Sequence, residues 1–152
     1  LEYAEKAVKL DPENYWYRIL YAQSLQRAGK IAEAIVEYKI LIEKDGGNVD
    51  LYFQDIDIFH VFEIKSWVPA NLHSQFRDGN IKLLEYTFQN KSTHFNKSEC
   101  SMHLLFHNDP TNYFRPYWIE FMKSLNINLC FMQDKKIVWH KDFKNNDPFL
   151  KN

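Results

Sequence analysis

Apolar side chains recur every three or four positions through the early part of the chain. Tyr17, Leu20, Tyr21 and Leu25, with Ala22 and Ala28 between and beyond them, keep the period of a helix and not that of a strand. Ile31, Ala34, Ile35, Tyr38, Leu41 and Ile42 fill one face of a second stretch, leaving Glu33, Glu37, Lys39 and Glu43 outside. Between the two, Gly29 suits the left-handed conformation that ends a helix, and Lys30 opens the next. Asp11 before Pro12 fits an N-cap followed by a first helical residue whose missing N–H costs nothing. Ala22, Ala28 and Ala34 allow close approach. The pattern from Asp11 to Lys44 predicts two antiparallel helices and a tight turn.

Farther along the period changes. Val49 to Phe62 carries both signals: Tyr52, Ile56 and Phe59 keep helical spacing, while Ile56, Ile58, Phe62 and Ile64 alternate. A helix through about His60 is expected, because the preceding helices need a cover. Trp67 to His73 reads as a connection, Asp78-Gly79-Asn80 as a turn, Ile81 to Gln89 as a strand and Asn90 to Glu99 as a polar loop. Met102 to His107 is a short buried strand, and Asn108-Asp109-Pro110 a turn. Asp109 or Thr111 can then cap an aromatic-faced helix over residues 111–125, with Tyr113, Tyr117, Phe121 and Leu125 four apart and Pro116 near its start. Ile127 to Met132 and Lys136 to His140 read as two strands joined through Gln133-Asp134-Lys135, and the tail reads as loose. The fold class is α+β: N-terminal antiparallel helical hairpins followed by a small mixed region with an antiparallel strand pair.

Self-comparison adds a repeat. Shifted by about 34 residues, the opening segment matches the end of the second helix, placing Ala4 over Tyr38, Ala7 over Leu41 and Asp11-Pro12 over Asp45-Gly46. Over residues 1–54 the chain resembles the tetratricopeptide repeat family, with Pro12, Ala22, Leu25, Gly29, Ala34 and Tyr38 at signature places. Residues 1–12 resemble the second helix of a preceding repeat, and Val49 onward the start of a following one. Arg18 stands where the family carries tryptophan, Gly46 where it carries the inter-repeat proline, and Asp55 and Ile56 where a leucine and a small residue belong. The resemblance implies a groove lined by the first helices of successive repeats. Transferred by position, that groove is Trp16, Ile19, Gln23, Gln26 and Arg27, then Asp50, Phe53 and Asp57. Its ligand would be a protein or peptide, with Trp16, Gln23 and Arg27 as anchors. The plainer alternative has Trp16 covering a previous repeat and Arg27 solvated.

Composition divides the chain near residue 60: six of seven alanines lie before it, and eleven of thirteen asparagines and five of six histidines after it. This suggests a helical unit over residues 1–62 and a second unit of unassigned activity over 63–152. Net charge is −1, with 7 basic and 11 acidic side chains in residues 1–60 against 12 and 9 afterwards, so no nucleic-acid or membrane-surface partner is expected. No apolar run approaches the roughly 20 residues that span a bilayer. Cys100 and Cys130 are too few for a disulfide framework and read as thiols in a reducing compartment, the cytoplasm being the nearest fit. Starting at Leu1 without methionine, the chain reads as a fragment. Asn90-Lys91-Ser92 and Asn96-Lys97-Ser98 match the glycosylation pattern, which in an asparagine-rich loop is mostly chance.

The chemistry-bearing residues are few. His103 and His107, four apart, share a face in either structure, and Asp109 follows; with His94 and Cys100 they are candidate metal ligands. No HExxH glutamate or paired CxxC supports them, and histidines on an aromatic sheet are more often structural. Gly46-Gly47 lacks the company of a phosphate-binding loop. Cys130 and His140 form a nucleophile–base pair only if a hairpin brings them together. The aromatic stripe of residues 113–121 is most simply core; with Arg115 and Lys123 it could instead stack bases or sugars. No cofactor is implied. The reading that follows is an interaction module or scaffold fused to a second unit. The alternative is an accessory repeat arm on an enzyme, a transferase or hydrolase, favoured by the histidine-bearing strand end before Asn108-Asp109.

Overall fold

The computed structural model describes residues 1–44, 50–55, 58–90 and 99–150. Three helices come first: α1 (Glu2–Leu10), α2 (Tyr15–Arg27) and α3 (Ile31–Lys44). Asp11 closes α1 instead of opening α2, its N–H donating to Ala7 O. Asp11-Pro12-Glu13-Asn14 is then a turn, with Asn14 N–H on Asp11 O at 3.2 Å, so the proline lies before the helix. Asn14 is the cap of α2, its side chain accepting from Tyr17 N–H at 3.3 Å. At the far end Gly29 has φ +79°, Gly29 N–H donates to Gln26 O and Lys30 N–H to Leu25 O, the paired bonds of a glycine-terminated helix. The helical hairpin follows the sequence pattern. Ala22, Leu25, Ala34, Tyr38, Leu41 and Ile42 are buried between and beneath the rods.

The chain then turns to strand. β1 (Leu51–Asp55) and β2 (Ile58–Lys65) pair antiparallel, where a helix through His60 was expected. Pairing on both sides decided this: β2 lies between β1 and β3, and His60, Val61, Phe62 and Glu63 are buried in succession, as in a strand with both faces covered. Residues 66–71 connect to α4 (Leu72–Asn90), a single helix that runs through both the expected Asp78-Gly79-Asn80 turn and the expected Ile81–Gln89 strand. Gly79 is there for packing: a methyl group in its place would overlap the Leu104 side chain of the sheet. β3 (Glu99–Phe106) follows, parallel to β2. The expected helix over 111–125 is divided. Thr111–Tyr113 is a 3-10 turn, Phe114 is extended, and α5 covers only Trp118–Ser124. Pro116 explains the break, since its ring disfavours helical backbone before it and it has no N–H to donate. β4 (Ile127–Gln133) is parallel to β3, and β5 (Lys136–Trp139) returns antiparallel around Asp134-Lys135.

The sheet is thus mixed and five-stranded, in the order β1-β2-β3-β4-β5. Two successive parallel crossovers in one direction place α4 and α5 on the same face. The α2–α3 hairpin covers the other, where Tyr38 stacks on Phe53 at 5.1 Å and Glu43 accepts Ile137 N–H at 3.3 Å. The tail also packs here: residues 141–146 form a 3-10 helix and Phe149 lies 5.8 Å from both Phe53 and Trp139. Residue 62 lies inside β2, so the helices and the sheet share one core. The Gly46-Gly47 loop, Asp57, Lys91 to Ser98 with His94 and both glycosylation serines, and the last two residues lie outside the described residues.

Candidate functional site

Helix α2 is apolar on two sides, and only one is used. Arg18, Ala22 and Leu25 face inward, whereas Trp16, Leu20, Gln23 and Arg27 form a stripe on roughly the opposite side of the helix. Trp16 is 61 % exposed and Leu20 54 %. At the C-terminal end of the stripe a groove of about 280 Å³ opens between α2 and edge strand β1. Gln23, Gln26 and Arg27 form one wall, Tyr38 the floor, and Tyr52 and Gln54 the other wall. Tyr38 Oη donates to Gln26 Oε1 at 3.0 Å, which orients that amide and leaves its N–H groups for another acceptor. Burial pushes the Tyr38 phenol up to about 12, so the hydroxyl keeps its proton. Arg27 has no ion-pair partner among the described residues.

The structure therefore brings Gln23, Gln26 and Arg27 together, with Trp16 and the partly buried Ile19 on the same helix. It does not bring Asp50 and Phe53 to them. Phe53 is fully buried beneath α3, and the Asp50 carboxylate accepts Ile64 N–H at 2.9 Å, fastening the start of β1 to β2. A strand occupies the place where a further repeat helix would have carried them. Tyr52 and Gln54 were not among the expected groove residues; the strand pairing puts them beside α2. Arg18 is buried and reaches Glu37 at 2.6 Å and Pro12 O at 3.1 Å, an ion pair beneath the helical hairpin.

The candidate metal ligands are kept apart. Four residues along a strand span about 13 Å, so His103 and His107 share a face without sharing an ion. His103 is 0 % exposed at the centre of the sheet. Trp139 Nε1–H donates to its Nδ1 at 3.2 Å, which fixes the proton on Nε2, and that nitrogen meets His60 Nδ1 at 3.0 Å. Burial, and then the His60 ring, hold His103 well below the ordinary histidine range, so it is a neutral link in a hydrogen-bonded core. Asn128 sits beside it, donating to Met102 O at 3.0 Å and accepting from Asn146 at 2.8 Å. Asp109 is spent on the backbone and hydroxyl of Thr111. No group of three or more potential ligands exists among the described residues. Cys130 is buried with its thiol against Leu104 O, and His140 Nδ1 accepts Asp142 N–H, so they form no nucleophile–base pair.

His107 lies at the carboxyl end of β3, where open parallel sheets place ligands. It contributes to a cavity of about 920 Å³ between the sheet edge and α3, with Glu43 and Lys44 on one side and Asp134 and Lys135 on the other. Its Nδ1 is closed off from solvent and has no partner among the described residues. A second charged cluster is satisfied internally: Lys65 reaches Asp78 and, at 3.4 Å, Glu63, while Lys82 reaches Asp78 at 3.2 Å. Two positive and two negative groups there tie β2 to α4. Among the described residues no helix is long and apolar enough to cross a membrane. No protein-family model, curated protein or solved structure matches the chain.

Proposed function

We propose that the chain is a protein-interaction module whose ligand is an extended, acidic peptide segment bound along the outer face of α2. One observation supports this above the others. The stripe that leads from exposed Trp16 and Leu20 ends in a groove where Gln23, Gln26 and Arg27 hold uncommitted hydrogen-bonding groups beside edge strand β1. Aromatic and arginine side chains dominate interface energetics, and a groove floored by an oriented tyrosine–glutamine pair suits backbone amides. Arg27 supplies the preference for a carboxylate, through a bidentate geometry that lysine does not offer. The tetratricopeptide resemblance of residues 1–54 points the same way, with the ligand shifted toward β1 because a strand follows α3 among the described residues where a further repeat helix was expected.

The test is a selection of displayed random peptides on purified protein, followed by titration of the enriched sequence. Enrichment of acid-containing peptides is expected. A Gln23→Ala/Arg27→Ala variant should bind them at least about tenfold more weakly, roughly 1.4 kcal/mol, at an unchanged melting temperature. Equal affinity for the variant, or no enriched sequence at all, would remove the groove as the binding surface.

A further inference from the structure

On the opposite side of the sheet, α4 and α5 leave a slot of about 550 Å³. Its floor is Trp118, stacked on Phe76 at 4.0 Å with the rings 5° from parallel. Its rim is aromatic and exposed: Tyr117 is 57 % accessible and Phe121 44 %. Core packing leaves such rings inside, so an exposed aromatic rim over a stacked floor is surface available to another flat molecule.

Two further features are polar and select the chemistry of that molecule. Arg77 lines the slot and Arg115 stands two residues before Tyr117 of its rim, and neither has a carboxylate partner among the described residues. Lys123, by contrast, is already held by Glu120 and Asp142. Partial burial and then the charges of Arg115 and Arg77 hold His73, on the slot wall, below its ordinary value, so both guanidinium fields reach the slot. The second feature is Asn80, which is 97 % buried in the slot wall (3 % exposed). Its Nδ2 donates to Phe76 O at 2.9 Å, which fixes the amide orientation, and its Oδ1 has no partner among the described residues. A buried carbonyl oxygen left this way is costly unless a ligand donor reaches it.

We infer that the α4–α5 slot binds a nucleoside monophosphate. The base stacks on the Tyr117–Phe121 rim, a ring or exocyclic N–H donates to Asn80 Oδ1, and the phosphate lies between Arg77 and Arg115. A flat ring, a donor and a dianion are the three things this slot asks for, and its volume falls within the roughly 300–1,000 Å³ of small-molecule sites. Arginine suits phosphate by its forked donors. The slot faces away from the α2 groove, so the inference stands independently of the peptide reading.

Calorimetric titration with adenosine 5′-monophosphate tests it, using adenosine and inorganic phosphate as separate arms. One site per chain is expected, with each partial ligand at least about tenfold weaker, because base and phosphate contacts are both lost singly. Arg77→Lys and Arg115→Lys should each weaken the monophosphate about fivefold or more without changing the melting temperature, since lysine keeps charge and loses the fork. Phe121→Ala should weaken adenosine as well as the monophosphate, and Gln23→Ala/Arg27→Ala should change neither. Absence of heat up to millimolar ligand overturns the assignment. So does phosphate binding as well as the monophosphate, which would mark a bare anion patch, or arginine variants that bind unchanged.

Discussion

His103 is a titratable group whose ring nitrogens are both engaged, by Trp139 and by His60, in a place water does not reach. The folded protein therefore resists protonating it, while the unfolded chain takes up that proton near the ordinary pKa of about 6.5. Where the unfolded state binds more protons, stability rises with pH. The contribution of His103 is thus complete above about pH 6.5 and is lost as pH falls below it, by roughly 1 kcal/mol between pH 6.5 and 5.5 for one histidine. Urea midpoints measured at several pH values should show that slope, and a His103→Gln variant, less stable overall, should show a shallower one. An equal slope in the variant would assign the dependence elsewhere. At the same scale, the i,i+4 histidine spacing was legible in the sequence, but its meaning depended on the element. On a helix it chelates; on a strand it separates.

The β4–β5 hairpin turns on two residues, and both have positive φ, 52° at Asp134 and 64° at Lys135. That is the turn whose twist matches paired strands, and it strongly favours asparagine and glycine. A lysine in left-handed backbone is strained by about 1 kcal/mol. Lys135→Gly should therefore raise stability by roughly 0.5–1 kcal/mol, read as a higher urea midpoint with unchanged slope. A fall in midpoint would show instead that the lysine side chain contributes more than its backbone costs. The hairpin itself was visible from the three polar residues between apolar runs. Helix α4 was not: Asp78-Gly79-Asn80 has the composition of a turn, and only the Leu104 side chain facing Gly79 shows why glycine stands within a helix. Nor was the shortened α5, although Pro116 carried the signal.

Tyr38 on α3 and Phe53 on β1 join the helical hairpin to the sheet, and Phe62 and Phe149 complete the stack around Phe53. One shared core implies one cooperative transition. Phe53→Ala should cost about 3–5 kcal/mol, and helical circular dichroism and tryptophan fluorescence should shift together to the same lower midpoint. Separate transitions, with the helical signal unmoved, would mean that the helices and the sheet unfold independently.

The residues by themselves determined the helical hairpin, since Gly29 and the three-to-four spacing are local signals that need no distant partner. They also determined β3 and the β4–β5 pair, but not the faces of α2, where Leu20 is exposed and Arg18 is buried. Tertiary structure alone decided the element between positions 50 and 65, because ambiguous apolar spacing resolves only when a neighbouring strand and two covering layers are present. It likewise decided which groove residues meet, which histidines are core, and that Arg77, Asn80 and Tyr117 lie around one slot. Those are relations between segments far apart in the chain, and composition and period carry information only about near neighbours.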